Sequence, residues 1–149
     1  MTAVDDALLR LRRLWSPDRI RVVDDLGTPV EMSSLLVVEA CARAAGTEAT
    51  IGDVARFADV THSTASRLVD RAERNGLVRR LPSARARHTA VALTAQGAAL
   101  RERALRARTG WLRERLRDWT DADVTLLGEL LLRFADAVEH GHPGPPPPG

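Results

Sequence analysis

Gly76 is the residue that most constrains this chain. Before it, residues 61–75 (THSTASRLVDRAERN) carry Ala65, Leu68, Val69 and Ala72 at i, i+3, i+4 and i+7, the spacing of one buried helix face. After it, LVRRLP and TAVALT alternate apolar with other residues, as strands do, on either side of the small basic connector SARARH. Asn75 with Gly76 suits a left-handed helix stop between the two patterns. Upstream, Thr50 followed by Asp53 resembles a capping box with Asp in place of Glu. It opens a short helix whose apolar face is Ile51, Val54, Ala55 and Ala58, and Asp59 with Val60 makes the turn that follows. Thr61 or Ser63 caps the next helix. Short helix, turn, second helix and hairpin, in that order over residues 50–97, describe a winged helix-turn-helix.

Charge marks where such a unit would act. Residues 61–90 hold seven arginines (67, 71, 74, 79, 80, 85 and 87) against Asp70 and Glu73, a balance of +5, and the rest of the chain balances at −3. The core-facing stripe of the second helix fixes its opposite face, which carries Ser63, Thr64, Arg67, Arg71 and Arg74. A helix that reads DNA places short donors and acceptors at its N-terminus, within reach of base edges, and cations along its flanks for phosphates. Thr61, the cap, with His62, Ser63 and Thr64 suits the first task, Arg67 suits either, and Arg71 and Arg74 suit the second. Arg85 and Arg87 flank Ala86 at the hairpin tip, and a narrow minor groove attracts inserted arginine. The bland alternatives are a solvated helix face and a plain surface hairpin. Against them stands the succession of capped turn, Arg face and Arg tip.

The flanking segments read as support. Leu8, Leu11, Leu14 and Trp15 fall at helical spacing after Asp5 and Asp6, and Ser16–Pro17 opens a further short helical segment bearing Ile20 and Val23. Residues 27–29 (GTP) form a connector. The run SSLLVVEACARAA, residues 33–45, predicts a helix with a Ser cap and a stop at Gly46. Cys41 on it reads as a small buried side chain, with a redox-sensing thiolate as the lesser alternative. Thr94 caps a long helix reaching to about Trp119, with Gly97 in its first turn where close packing excludes a side chain. Thr120 and Asp123 start a last helix, residues 121–138, whose Val124, Leu126, Leu127, Leu130, Leu131, Leu132, Phe134, Ala135 and Val138 cover more than one face. Part of that surface is expected to be buried by a second subunit. The tail GHPGPPPPG is expected to be solvated.

Other chemistries fare poorly. His62 and Ser63 are neighbours on a helix, so their side chains diverge by about 100° and cannot form a nucleophile–base pair. The four histidines and single cysteine show no metal-ligand spacing, and no phosphate-cradling glycine motif occurs. Neither an enzyme, a metal nor a cofactor is expected. One cysteine, with no secretory signal and no apolar run of membrane-spanning length, fits a cytoplasmic protein. A winged helix used only for protein binding or dimerisation is the remaining rival; it would want an apolar or acidic outward face where this chain has arginine.

The run TIGDVARFADVTHSTASRLVDRAERNGLVRRLPSARARHTAVALTAQGAAL resembles the winged-helix core of the MarR family of transcriptional regulators, through its SRLVDRAERNGLVRR signature, its hairpin and its closing LTAQG. The resemblance implies a mainly α fold with a small β-hairpin wing: N-terminal dimerisation helices in residues 1–30, a DNA-binding domain in 31–97, C-terminal dimerisation helices in 98–139 and a Pro-rich tail in 140–149. It implies a homodimer on a pseudo-palindromic double-stranded DNA operator, most often as a repressor. Carried over by position, Ser63, Thr64 and Arg67 match major-groove positions and Arg87 the wing arginine. Where the family usually has an Asp two residues before that arginine, this chain has Arg85, and its wing is one residue short. Many relatives respond to small aromatic or anionic effectors in a crevice beside the dimer helices. Trp15 and Trp111 are candidates to line one here, with plain core packing as the alternative.

Overall fold

The order of elements follows from where the chain can be capped and where it must stop. The computed structural model describes residues 1–11, 22–24, 27–44, 48–82 and 89–140, which group into two compact units, Met1–Gly110 and Trp111–Gly149. In the first unit come α1 (Thr2–Leu11), α2 (Met32–Arg43), β1 (Ala49–Thr50), α3 (Ile51–Ala58), α4 (His62–Arg74), β2 (Val78–Pro82) and β3 (Thr89–Leu93). Helix α5 (Ala95–Arg115) begins in the first unit and ends in the second, which also holds α6 (Asp121–His140).

Each junction has a local cause. Thr50 accepts from the Asp53 backbone N–H at 3.2 Å while the Asp53 carboxylate accepts from the Thr50 backbone N–H at 2.8 Å, so the capping box at α3 is complete. Asp59 ends α3 in the left-handed region at φ 52°, a conformation a short polar side chain tolerates. Thr61 then caps α4, accepting from the Thr64 N–H at 3.3 Å. At the far end of α4 the left-handed residue is Gly76, at φ +70°, and Asn75 keeps a negative φ. Thr94 caps α5: its Oγ1 accepts from the Gly97 N–H at 3.0 Å and donates to the Gly76 carbonyl at 2.6 Å. That bond ties the end of α4 to the start of α5. A Cβ on Gly97 would lie 2.0 Å from the Leu77 carbonyl oxygen, so the absent side chain is a packing requirement.

The sheet has one strand more than the sequence pattern shows. It runs β1-β3-β2, all antiparallel, with Ala49 opposite Val91 and Arg80 opposite Val91 from the other side. A two-residue strand carries too little alternation to be seen in sequence. Within β2 the buried residue is Val78, paired with Leu93, whereas Leu81 is only half-buried. Against this sheet and one another α2, α3, α4 and the start of α5 bury Val37, Val38, Val54, Ala65, Val69, Ala72 and Leu100, each at most 1% exposed. At roughly 1.5–3 kcal/mol for each fully buried large aliphatic side chain, this cluster is the main stabiliser of the first unit. Glu39 of α2 adds a polar tie, with Arg101 of α5 at 3.3 Å and Arg108 at 3.7 Å.

Several sequence expectations need correcting. Val23 is not helical: it pairs with Pro29 in an antiparallel bridge, closed by a turn in which Gly27 has φ +78° and Thr28 donates to the Asp24 carboxylate. The apolar spacing that suggested a helix instead puts Val22 into the core. Helix α2 starts after Glu31 with no side-chain cap bond, because the Ser33 hydroxyl donates to the Glu31 carboxylate. It ends at Arg43. Helix α5 stops at Arg115, with turns before Trp119, which is 48% exposed. Trp15, Ser16, Pro17, Ile20, Gly46 and the tail lie outside the described residues.

The helices α1 and α6 differ from the rest. Every residue of α1 is exposed, Leu8, Leu9 and Leu11 included. In α6, Thr120 and Asp123 form the start (hydroxyl to carboxylate 2.7 Å), and Leu126, Leu130, Leu131, Leu132, Phe134 and Val138 are all exposed, Leu132 by 69%.

Candidate nucleic-acid interface

Helix α4 positions its side chains through its cap. The Thr61 hydroxyl lies 3.2 Å from that of Ser63 and 3.0 Å from that of Thr64, so three hydroxyls cluster at the helix N-terminus. Thr61, His62, Ser63 and Thr64 are all exposed. Unpaired backbone N–H groups and the helix dipole make this end attractive to phosphate, and the short side chains leave room for close approach to base edges. Because Ala65, Val69 and Ala72 are wholly buried, Ser63, Arg67 and Arg74 are carried to the opposite side. Arg67 is exposed and makes no ion pair with another described residue. Arg74 is exposed as well, and among the described residues its side chain makes only a long 3.4 Å bond from its Nε to the Asp70 carbonyl.

Arg71 is placed differently from its neighbours. Its guanidinium donates to the Glu31 carboxylate, just before α2. The Arg71 hydrogen bond, the Ser33 hydroxyl and the Arg71 charge hold the Glu31 carboxyl below its usual range. Arg71 therefore spends part of its charge on an intramolecular ion pair at the surface while remaining half exposed. A cavity of about 360 Å³ opens beside this pair, lined among others by Asp24, Asn75, Gln96 and Leu100.

The sequence reading missed Arg80. Its Nη2 lies 2.6 Å from Asp70 and its Nη1 2.5 Å from Glu73, and its backbone N–H donates to Glu73 at 2.8 Å. The two acids of α4 are thus both held by the first strand of the hairpin. The signal was present: two acids one turn apart amid seven arginines need an internal partner, and only register shows which arginine it is.

Arg85, Arg87 and His88 at the hairpin tip, and Trp15, lie outside the described residues. Trp111 is half-buried with the Arg115 guanidinium 4.4 Å from its ring centroid, an arrangement that keeps one face covered by its own helix. Cys41 is buried, and loss of solvation, with the nearby Asp53 charge, pushes its thiol up to about 11. Such a thiol is not a reactive one. Among the described residues no group of three His, Cys, Asp or Glu could hold a metal, and no helix is long and apolar enough to cross a membrane.

Residues 28–87, from the connector to the hairpin tip, match the sequence model of the MarR family. Over that segment the chain is similar to the MarR family. Solved structures share the fold over nearly the whole length. A MarR family protein from Bacillus stearothermophilus is 22% identical, with a TM-score of 0.73 over 92% of this chain and 94% of that one. The transcriptional regulator PA3341 is 26% identical, with a TM-score of 0.70 over 91% and 98%. FabT from Streptococcus pneumoniae, solved in complex with DNA, is 14% identical, with a TM-score of 0.72 over 93% and 96%. No curated protein matches the sequence. The family's fold, mostly helical with a small three-stranded antiparallel sheet, is the one described above.

Proposed function

We propose that this chain is a MarR-type, sequence-specific regulator of transcription that binds double-stranded DNA as a homodimer and represses from a pseudo-palindromic operator. The observation that carries the reading is the outward face of α4: a hydroxyl-lined N-terminus followed by exposed Arg67 and Arg74, on a helix whose other side is locked into the core. Ser63, Thr64 and Arg67 read base edges in the major groove, and Arg74, with the exposed half of Arg71, holds phosphates. Arg85 and Arg87 enter the minor groove. The bare apolar faces of α1 and of α6 favour a second copy of the chain, since large exposed apolar patches mark interaction sites. FabT, a relative in fold, was solved on DNA.

A small anionic or aromatic effector is the further part of this reading. The cavity beside Arg71 offers a guanidinium to an anion and touches the reading helix directly. Binding there would compete with Glu31 and couple occupancy to α4.

An electrophoretic shift with the DNA flanking the protein's own gene tests the core of the proposal. A saturable complex at low salt that weakens steeply as salt rises is expected, since each neutralised phosphate releases counterions. Absence of any saturable complex at low salt would overturn it.

A further inference from the structure

Helix α4 carries two acids, Asp70 on the side that would meet DNA and Glu73 on its flank. Asp70 shares the outward stripe with Arg67 and Arg74, three and four residues away, and is exposed. Glu73 stands one turn further on. Unmasked carboxylates in that place would oppose the phosphates that the arginines attract. Both converge instead on one guanidinium, that of Arg80, at 2.6 and 2.5 Å. The Arg80 side chain is only 27% exposed, while its neighbour Arg79 is open to solvent. One arginine of the basic cluster is therefore turned inward onto the helix and its neighbour outward.

We propose that Arg80 is a positioning residue for DNA binding that acts by masking charge, drawing Asp70 and Glu73 toward β2 so that Arg67 and Arg74 face the duplex without an opposing carboxylate. This rests on the reading of α4 as the DNA-contacting helix. The two acids are not equivalent in it. Glu73 keeps the backbone N–H of residue 80 whatever side chain stands there. Among the described residues the Asp70 carboxylate has only the guanidinium. Loss of the Arg80 side chain thus releases Asp70 first.

The test compares the full-length wild type, Arg80→Gln, and Arg80→Gln combined with Asp70→Asn or with Glu73→Gln, by fluorescence anisotropy on a duplex the wild type binds. Arg80→Gln is expected to weaken binding about tenfold at low salt, by less at high salt where the repulsion is screened. Adding Asp70→Asn should restore most of the loss, and Glu73→Gln less. A bracket that only shaped the helix would not be rescued by removing the acid it holds. Wild-type affinity in Arg80→Gln, or a double variant with Asp70→Asn as weak as the single one, would overturn the masking role. If Arg80→Gln melts below the assay temperature, Arg80→Lys with and without Asp70→Asn makes the same comparison, and absence of rescue overturns the proposal equally. A wild type that forms no saturable complex with any duplex would remove the DNA-binding reading itself, and this is seen before any variant is made.

Discussion

The winged-helix part and the helices α1 and α6 use apolar residues in opposite ways. In the first, Val54, Val69 and Leu100 are sealed from water, helix ends are capped, and a single methyl at Gly97 would collide with backbone. In the second, Leu126, Leu131, Leu132 and Phe134 are as apolar but stand in water. One region buries its apolar side chains within a single chain and the other leaves them exposed, as the proposed dimer requires. Damage to the first should therefore appear as lost stability at any protein concentration, and damage to the second as lost association.

Gly97→Ala presses hardest on this distinction. Its Cβ would meet the Leu77 carbonyl at 2.0 Å, and a backbone carbonyl just before β2 cannot yield as a flexible side chain can. A loss of roughly 3 kcal/mol or more is expected in chemical denaturation, independent of protein concentration. Leu132→Asp on α6 should leave the far-ultraviolet dichroism intact and shift the protein toward monomer in sedimentation velocity. With the two half-sites no longer linked, operator affinity should fall about 100-fold. An unchanged sedimentation coefficient would place the apolar face of α6 outside any dimer.

Smaller effects refine the first region. Arg67→Ala should cost about 1–3 kcal/mol of discrimination between operator and random duplex, whereas Arg74→Ala should weaken both similarly. Thr50→Ala removes one arm of the capping box and should cost about 1 kcal/mol of stability. The partner Asp53 adds a pH signature. Its burial raises its pKa, but bonds from Thr50 and Arg56 outweigh that and lower it. A depressed carboxylate contributes stability that is present above its unfolded value of 3.8 and lost as pH falls through the lower folded value. Acid denaturation of Thr50→Ala should accordingly be shallower in that window than that of the wild type. The least change is expected at Cys41: with a thiol pKa near 11, roughly a thousandth is thiolate at pH 8, so a thiol reagent should label the native protein far more slowly than the unfolded one.

Features set by neighbouring residues were legible in the sequence. The capping box at Thr50, the Thr61 cap, the Gly stop after α4 and the packed glycine of α5 each depend on a few adjacent side chains, and the structure has all four. Features set by distant partners were not. Arg71 and Arg80 look alike in sequence, yet one reaches Glu31 forty residues away and the other closes on two acids of α4. Val23 shows the same limit from the other side: helical spacing suggested α structure, and a turn around Gly27 made it extended. The basic cluster could be counted from the sequence, but which of its charges faces outward is a matter of register and packing.

The central claim, that α4 reads duplex DNA, is tested most directly by selecting bound fragments from genomic DNA with the full-length protein. The account predicts one enriched inverted repeat, with half-sites about one helical turn apart, and loss of that enrichment in Arg67→Ala. Fragments retained without a shared motif, or equal enrichment by the wild type and Arg67→Ala, would contradict it.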